Sequence, residues 1–332
     1  SSTTGGSNTA VGRDALRSNT ASYNTAVGSE ALKSNTTGAI NDAFGYNALG
    51  ANTTGNHNTA IGAGSLDTNT TGSYNVAVGR LALTANTTAD KNTAVGYNAL
   101  ASNTTGQWNT AVGAYALDAN TDGQTNSALG YGALGANTGG DDNVAVGHEA
   151  MQENTTGSYN IAVGRDALSA NTTGTNNVAI GYLALESNTT ESNNIAIGSG
   201  ALQAATAAQR CQAIGTNAAA ALTTGDRNVA IGVNAFQSAT QAHDCVCIGE
   251  GAGNQLSDSN AYYNVAIGSY ALDAASTTTF TTAIGYQAAT SVTTGDGNTV
   301  YGAMAMALGT TAHSNVVIGQ TAGYDITTGN NL

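Results

Sequence analysis

A seventeen-residue unit recurs along this sequence with no gap long enough to hold a separate domain. That recurrence restricts the fold more than any other feature. Aligned on the residue before each Thr/Val-Ala-Val/Ile-Gly-like phrase, the copies begin at residues 8, 24, 41, 58, 75, 92, 109, 126, 143, 160, 177, 194, 211, 228, 245, 264, 281, 298 and 315. The nineteen copies are 17 residues long, except for 16 in the first and 19 in the one that starts at Cys245. A fixed period of this length marks a stacked architecture in which each unit buries its face on the next.

The columns of this internal alignment carry physical demands. Position 5 is glycine in every copy, from Gly12 to Gly319. Such a column calls for positive φ, or for another backbone too close to admit a Cβ. Position 4 is apolar or aromatic throughout, for example Val11, Phe44, Ile61 and Tyr301. Position 3 is alanine except at Cys247, Val300 and Val317, and position 8 is alanine except at Ser65. Position 9 is usually leucine. Position 1 is asparagine except at Cys211, Cys245 and Thr281.

Each copy reads as a short strand (Asn-Thr-Ala-Val-Gly), a bend, a second short strand around Ala-Leu, and an Asn-Thr-Thr-Gly turn. A helix needs apolar residues at 3.6 spacing over ten or more positions, and glycine interrupts every candidate. The expected fold is therefore all-β: a parallel β-solenoid of about nineteen 17-residue coils. Coils spaced ~4.8 Å apart would make a stack of roughly 90 Å. Asn58, Asn75, Asn92 and Asn109 are expected to form a ladder of side-chain amides, each bonding the next. Gly62, Gly79, Gly96 and Gly113 mark the accompanying backbone column.

The pattern changes near residue 200. Position 12 is asparagine from Asn19 to Asn188 and then gives way to Ala205, Leu222 and Ala239. Residues 1–7 thus read as a lead-in, 8–204 as regular repeats with two asparagine columns, and 205–332 as divergent repeats of the same solenoid. The two-residue insertion falls within 254–263.

Composition enters where it excludes function. Charged residues make up 9% and aromatics 5% of the chain. Alanine, valine and isoleucine must then fill a core that stays narrow however long the chain becomes. The net charge is −13 and only 8 residues are basic, which opposes binding to nucleic acid or to an anionic membrane. Asparagine, threonine or glycine interrupts each apolar run, so no membrane-inserting segment is expected. The opening SSTTGGSN lacks the basic start and apolar stretch of a secretory signal.

The Asn-x-Ala-Val/Ile-Gly phrase followed by x-x-Ala is similar to the head repeats of YadA-type trimeric autotransporter adhesins. The longer unit N-T-A-[VI]-G-Y-x-A-L-x-x-N-T-T-G-x-x resembles repeats in bacteriophage tail-fibre proteins. The resemblance covers residues 8–332. It implies a left-handed β-roll, association as a homotrimer, and a place in a virion tail fibre or on a cell surface. Adhesin heads mostly use shorter repeats, and no stalk, anchor or chaperone domain is recognisable in this sequence. Strand alternation puts positions 2 and 4 on one side and 1, 3 and 5 on the other. One side fills the coil. The other, with alanine at position 3 and glycine at position 5, is expected to pack against a sister chain.

Catalytic chemistry finds no foothold. Glycosidases need paired carboxylates in a cleft, whereas Asp14, Glu30, Glu149 and Asp166 stand singly in a variable column. The histidines His57, His148, His243 and His313 never occupy adjacent coils, and a metal site needs three or four convergent ligands. No cofactor is expected. Cys211 and Cys245 share position 1 two coils apart, beyond disulfide reach, and read with Cys247 as buried thiols. An interchain bridge near a threefold axis is the alternative.

The variable columns mark the surface. Position 6 carries Tyr46, Tyr97, Tyr131, Tyr182 and Tyr286, and the last position carries Trp108 among other aromatics. These side chains either stack on sugar rings of a host glycan or pack laterally over coil edges. A protein receptor is the other host partner considered. The expectation is a non-enzymatic fibre segment for attachment. A bacterial surface filament or adhesin head is an alternative, and so is an ice-binding solenoid, since Asn-Thr-Thr recurs. Valine or isoleucine at Val76, Val144, Ile161 and Val178 interrupts the threonines of position 2.

Overall fold

Three residues of Thr-Ala-Val type are followed in each repeat by a glycine that cannot continue the strand, and the fold is built from that unit. The computed structural model describes residues 5–257 and 261–329. The expected insertion at 254–263 thus lies partly outside the described residues, as do residues 1–4 of the lead-in. The chain is an all-β parallel solenoid with about 17 residues per turn, and the described residues contain no helix. Accordingly, no helix is long and apolar enough to cross a membrane.

Two compact units are present, Ser1–Val163 and Gly164–Leu332. In the first, ten strands run from β1 (Thr9–Val11) to β10 (Ile161–Val163). Each pairs in parallel with the next in exact-repeat register: Ala26 lies beside Ala43, and Ala43 beside Ala60. The second unit holds nine strands, β11 (Val178–Ile180) to β19 (Val316–Ile318), paired in the same way.

The expected second strand around Ala-Leu is absent. That segment is a continuous turn in which positions 7 and 9 take left-handed backbone, as at Asn98 (φ 56°) and Leu100 (φ 52°). Left-handed backbone costs an L-residue about 1–2 kcal/mol. Burial of the whole leucine side chain contributes about 1.5–3 kcal/mol in return, and Leu100 is 0% exposed. Coil-to-coil hydrogen bonding continues through the turn. The Leu100 N–H donates to the Ala116 carbonyl at 3.0 Å, and Ser102 and Thr104 donate to Asp118 and Thr121 at the same distance. Every side of a coil therefore orders the next one, although only one side is a strand.

The inward face is the reverse of that expected for chain association. Ala26, Ala43, Ala60 and Ala77 at position 3 are 0% exposed inside the coil. The Thr and Val side chains of positions 2 and 4 point outward. Small residues are needed at position 3 because the opposite wall, built from positions 8 and 9, comes close across a narrow core.

Two asparagine columns satisfy the interior polar groups, in different ways. At position 1 the side chain bonds chiefly to backbone, and the expected amide-to-amide bond is made in some coils, as from Asn58 Nδ2 to Asn41 Oδ1 at 3.2 Å. Asn58 Oδ1 accepts from the Asn75 N–H at 3.0 Å, Asn75 from the Asn92 N–H at 2.9 Å, and Asn92 from the Asn109 N–H at 2.9 Å. The Nδ2 groups of Asn75, Asn92 and Asn109 donate to the carbonyls of Ala89, Gly106 and Gly123, all at 2.8 Å. Position 12 carries the amide-to-amide ladder: Asn103 donates to Asn86 at 3.1 Å, and Asn120 to Asn103 at 2.8 Å. Asn103 Nδ2 also donates to the Gly106 carbonyl at 3.0 Å, so both columns converge on one acceptor.

Beyond Asn188 the position-12 column turns apolar. Ala205, Leu222, Ala239, Leu256, Ala275 and Val292 are all 0% exposed. Asn188 Oδ1, followed in its column by an alanine with no side-chain donor, is left buried without a hydrogen-bond partner.

Candidate interaction surfaces

Three surfaces differ from the uniform scaffold: the outward strand face, the exposed aromatic rows, and a groove beside Tyr115 and Tyr131. The strand face follows from alternation. Its residues are threonine, valine, isoleucine and a few others, and Asp42 is the only charged residue in positions 2 and 4 of any repeat. On the single chain Val11, Ile61, Leu129 and Ile318 are 58%, 42%, 51% and 68% exposed. In the first unit threonine at position 2 alternates with valine at position 4. In the second, valine and isoleucine occupy most of both, with Gln212, Thr282, Thr299 and Tyr301 as exceptions.

The candidate contact residues Tyr46, Tyr97, Tyr131, Tyr182, Tyr286 and Trp108 are all exposed. Most of them also touch a neighbouring coil. Arg80 lies over the Tyr97 ring at 5.7 Å, Lys91 over Trp108 at 5.4 Å, and Arg165 over Tyr182 at 6.0 Å. Tyr97 and Tyr131 are joined through Tyr115, with edge-to-face ring distances of 5.3 and 5.8 Å. His148 stacks on the far side of Tyr131 at 5.3 Å. Tyr115 stands at position 7 and not in the tyrosine-rich position 6, so its column does not mark it as one of the aromatic row. Adjacent columns share one corner of the coil, and that was the signal available.

The groove begins where side chains are missing. Gly132 occupies position 7 and Gly135 position 10 of the same coil. Tyr115 and Asp118 form one wall and Gln152 and Glu153 the other, with Tyr131 at the rim and Ala119 and Ala136 completing the lining. The cavity measures about 520 Å³. Partial burial pushes the Asp118 carboxyl above the usual carboxylate range, opposed by backbone N–H groups of Asp118 and Ala119. A smaller cavity of about 210 Å³ opens beside Gly64, again glycine at position 7, between Tyr46 and Arg80. Gly64 and Gly132 each leave a notch in this column, whereas Asn217 and Tyr270 from the next coil cover the position-7 glycines Gly200 and Gly251.

The cysteines occupy interior positions. Cys211 Sγ lies 3.2 Å from the Gly225 carbonyl, where the asparagine Nδ2 donates in other coils. Burial pushes the Cys211 and Cys245 thiols up to about 11 and raises Cys247 well above its ordinary value. Since the thiolate is the reactive form, an aromatic disulfide reagent at pH 8 is expected to label none of the three in folded protein. In denaturant it should label all three. Labelling of Cys211 or Cys245 in the folded state would place them at an accessible surface.

The fold and these surfaces define a β-solenoid repeat protein. No protein-family model matches the chain, and no curated protein matches it.

Proposed function

We propose that this chain is a non-enzymatic segment of an attachment fibre, three copies of which associate in a left-handed β-roll arrangement on a virion or cell surface. The observation that carries this reading is the outward strand face, whose position-4 row is apolar or aromatic in every repeat and which is almost free of charge. Contiguous apolar surface of this kind is uncommon on monomers and marks association. Apolar burial between chains would add to a core that is thin in each of them. The net charge of −13 per chain opposes lateral aggregation of assembled fibres. Exposed aromatics then serve contact with a host glycan or protein, and three chains multiply weak contacts into avidity.

Ice binding is the weaker reading. The regular threonines of position 13 spend their hydroxyl protons on the next coil: Thr36 Oγ1 donates to the Thr53 carbonyl at 2.9 Å, and Thr53 and Thr70 do likewise at 2.9 and 3.0 Å. Such hydroxyls have no donor left for an ordered water lattice.

Two substitutions on exposed strand positions, Ile61→Lys and Leu129→Lys, test association. A charge buried between chains without a partner costs several kcal/mol. The double variant is therefore expected to lose assembly and to keep the β-rich circular dichroism of its chain if that chain folds alone. Attachment is tested by saturable retention of labelled native protein on a panel of bacterial and animal cells. The dissociated variant is expected to bind on the order of 10²-fold or more weakly. Equal retention of both proteins, or none by the native protein, contradicts the proposal.

A further inference from the structure

The groove at Gly132 is larger than the notch at Gly64, and both break a surface that is otherwise close to periodic. We infer that the groove is a binding site for one ring of a neutral saccharide, an inference that rests on the attachment reading. Its walls come from coils two repeats apart, about 9.6 Å at ~4.8 Å per coil. The intervening coil contributes Tyr131 at the rim and, between the walls, only Gly132, Gly135 and Ala136. A slot is left where one layer of side chains is absent.

The chemistry of the lining selects the ligand class. Tyr115 and Tyr131 present aromatic surface, to which the C–H faces of a sugar ring pack. Asp118 and Glu153 accept hydrogen bonds from hydroxyls, and the Gln152 amide both donates and accepts. This combination of aromatic walls with a few convergent polar groups is that of a small-molecule site. No lysine, arginine or histidine lines the groove. Two carboxylates without a cation repel sialylated, sulfated and phosphorylated ligands, so a neutral polyhydroxylated ring fits best.

Tyr115 is held for this role by its neighbours. Edge-to-face contacts with Tyr97 and Tyr131 fix the ring from both sides. It is half-buried where Tyr131 is 49% exposed. A prepositioned ring loses little freedom on binding.

Two variants test the site without threatening the fold. Gly132→Asn places a side chain in the slot. Gly132 has φ 61°, close to the values of Asn47, Asn98, Asn217 and Asn234, which fill the same column at φ 54°, 56°, 54° and 55°. A Cβ there meets nothing nearer than Glu149 Cγ at 3.6 Å. Tyr115→Ala removes the wall.

The probes are neutral gluco-, galacto- and manno-oligosaccharides, with sialylated and sulfated counterparts, measured on the native assembly by saturation-transfer NMR and titration calorimetry. At least one neutral oligosaccharide is expected to bind, and each variant to weaken it about tenfold or more. The charged counterparts are expected to bind more weakly. Binding of no neutral oligosaccharide, a preference for the charged ones, or equal binding by both variants overturns the site. Retention on cells separates the two proposals. Cell retention unchanged in both variants, with oligosaccharide binding also unchanged, leaves attachment standing and removes the groove. Oligosaccharide binding that the variants weaken, with no cell retention by the native protein, removes attachment and keeps the groove.

Discussion

Gly96→Ala is expected to cost about 3–5 kcal/mol, read as a drop in the urea midpoint of the β-sheet signal. Two effects add. Gly96 has φ +140°, a region essentially closed to residues with a Cβ. Its added methyl would also lie 2.5 Å from the Gly113 carbonyl oxygen and 2.6 Å from its carbon, so neighbouring coils must part. Gly106→Ala is the informative control. Position 15 accepts alanine elsewhere, at Ala89, Ala208 and Ala242, all buried. Gly106 also lacks positive φ. A Cβ there would stand 2.3 Å from the Gly123 carbonyl oxygen, an approach that the coils carrying Ala89, Ala208 and Ala242 accommodate. Its substitution is therefore expected to cost less than that of Gly96. Equal costs at the two sites would mean that close approach alone, not backbone conformation, reserves position 5 for glycine.

The second large effect is expected from Asn103→Asp. Asn103 is 0% exposed, and its Nδ2 points at two oxygens, Asn86 Oδ1 at 3.1 Å and the Gly106 carbonyl at 3.0 Å. A carboxylate there would turn both attractions into repulsions in a site closed to water. Burial raises the folded-state pKa of such an acid, by about 3 units for a fully enclosed group. At 1.36 kcal/mol per unit this amounts to about 4 kcal/mol at pH 7. The raised pKa sets the sign. Above the unfolded value near 4 the folded protein holds a proton that the unfolded chain releases, so stability falls as pH rises. The variant is expected to approach the parent at pH 4, where the protonated acid restores one donor, and to diverge from it up to neutral pH. A pH-independent cost would show that the ladder tolerates the charge by admitting water.

These two sites also show how far the sequence can be read. The period, the single strand at Thr-Ala-Val and the demand on the position-5 glycine are legible because repetition inside one chain exposes each column. The second strand was misread because leucine rarely takes positive φ, and only the buried stack of Leu66, Leu83 and Leu100 makes that backbone worthwhile. The two strand faces were exchanged for a related reason. Alanine and valine both suit an interior, and the choice depends on how closely the opposite wall approaches, which no single column records. The asparagine columns are visible, but not their partners: position 1 bonds chiefly backbone, whereas position 12 bonds both the next amide and a backbone carbonyl. The aromatic row could be seen in part. Tyr115 was missed because the corner of the coil joins positions 6 and 7, and the groove because it consists of absent side chains at Gly132 and Gly135.

The outward strand face links these features to attachment, and the mass of the native particle tests that link most directly. Multi-angle light scattering at micromolar concentration is expected to give three times the 32.8 kDa chain mass for the unaltered protein. A particle of 32.8 kDa with a full β-sheet signal would show that the exposed Val, Ile and Leu of that face need no sister chain, and would contradict the account.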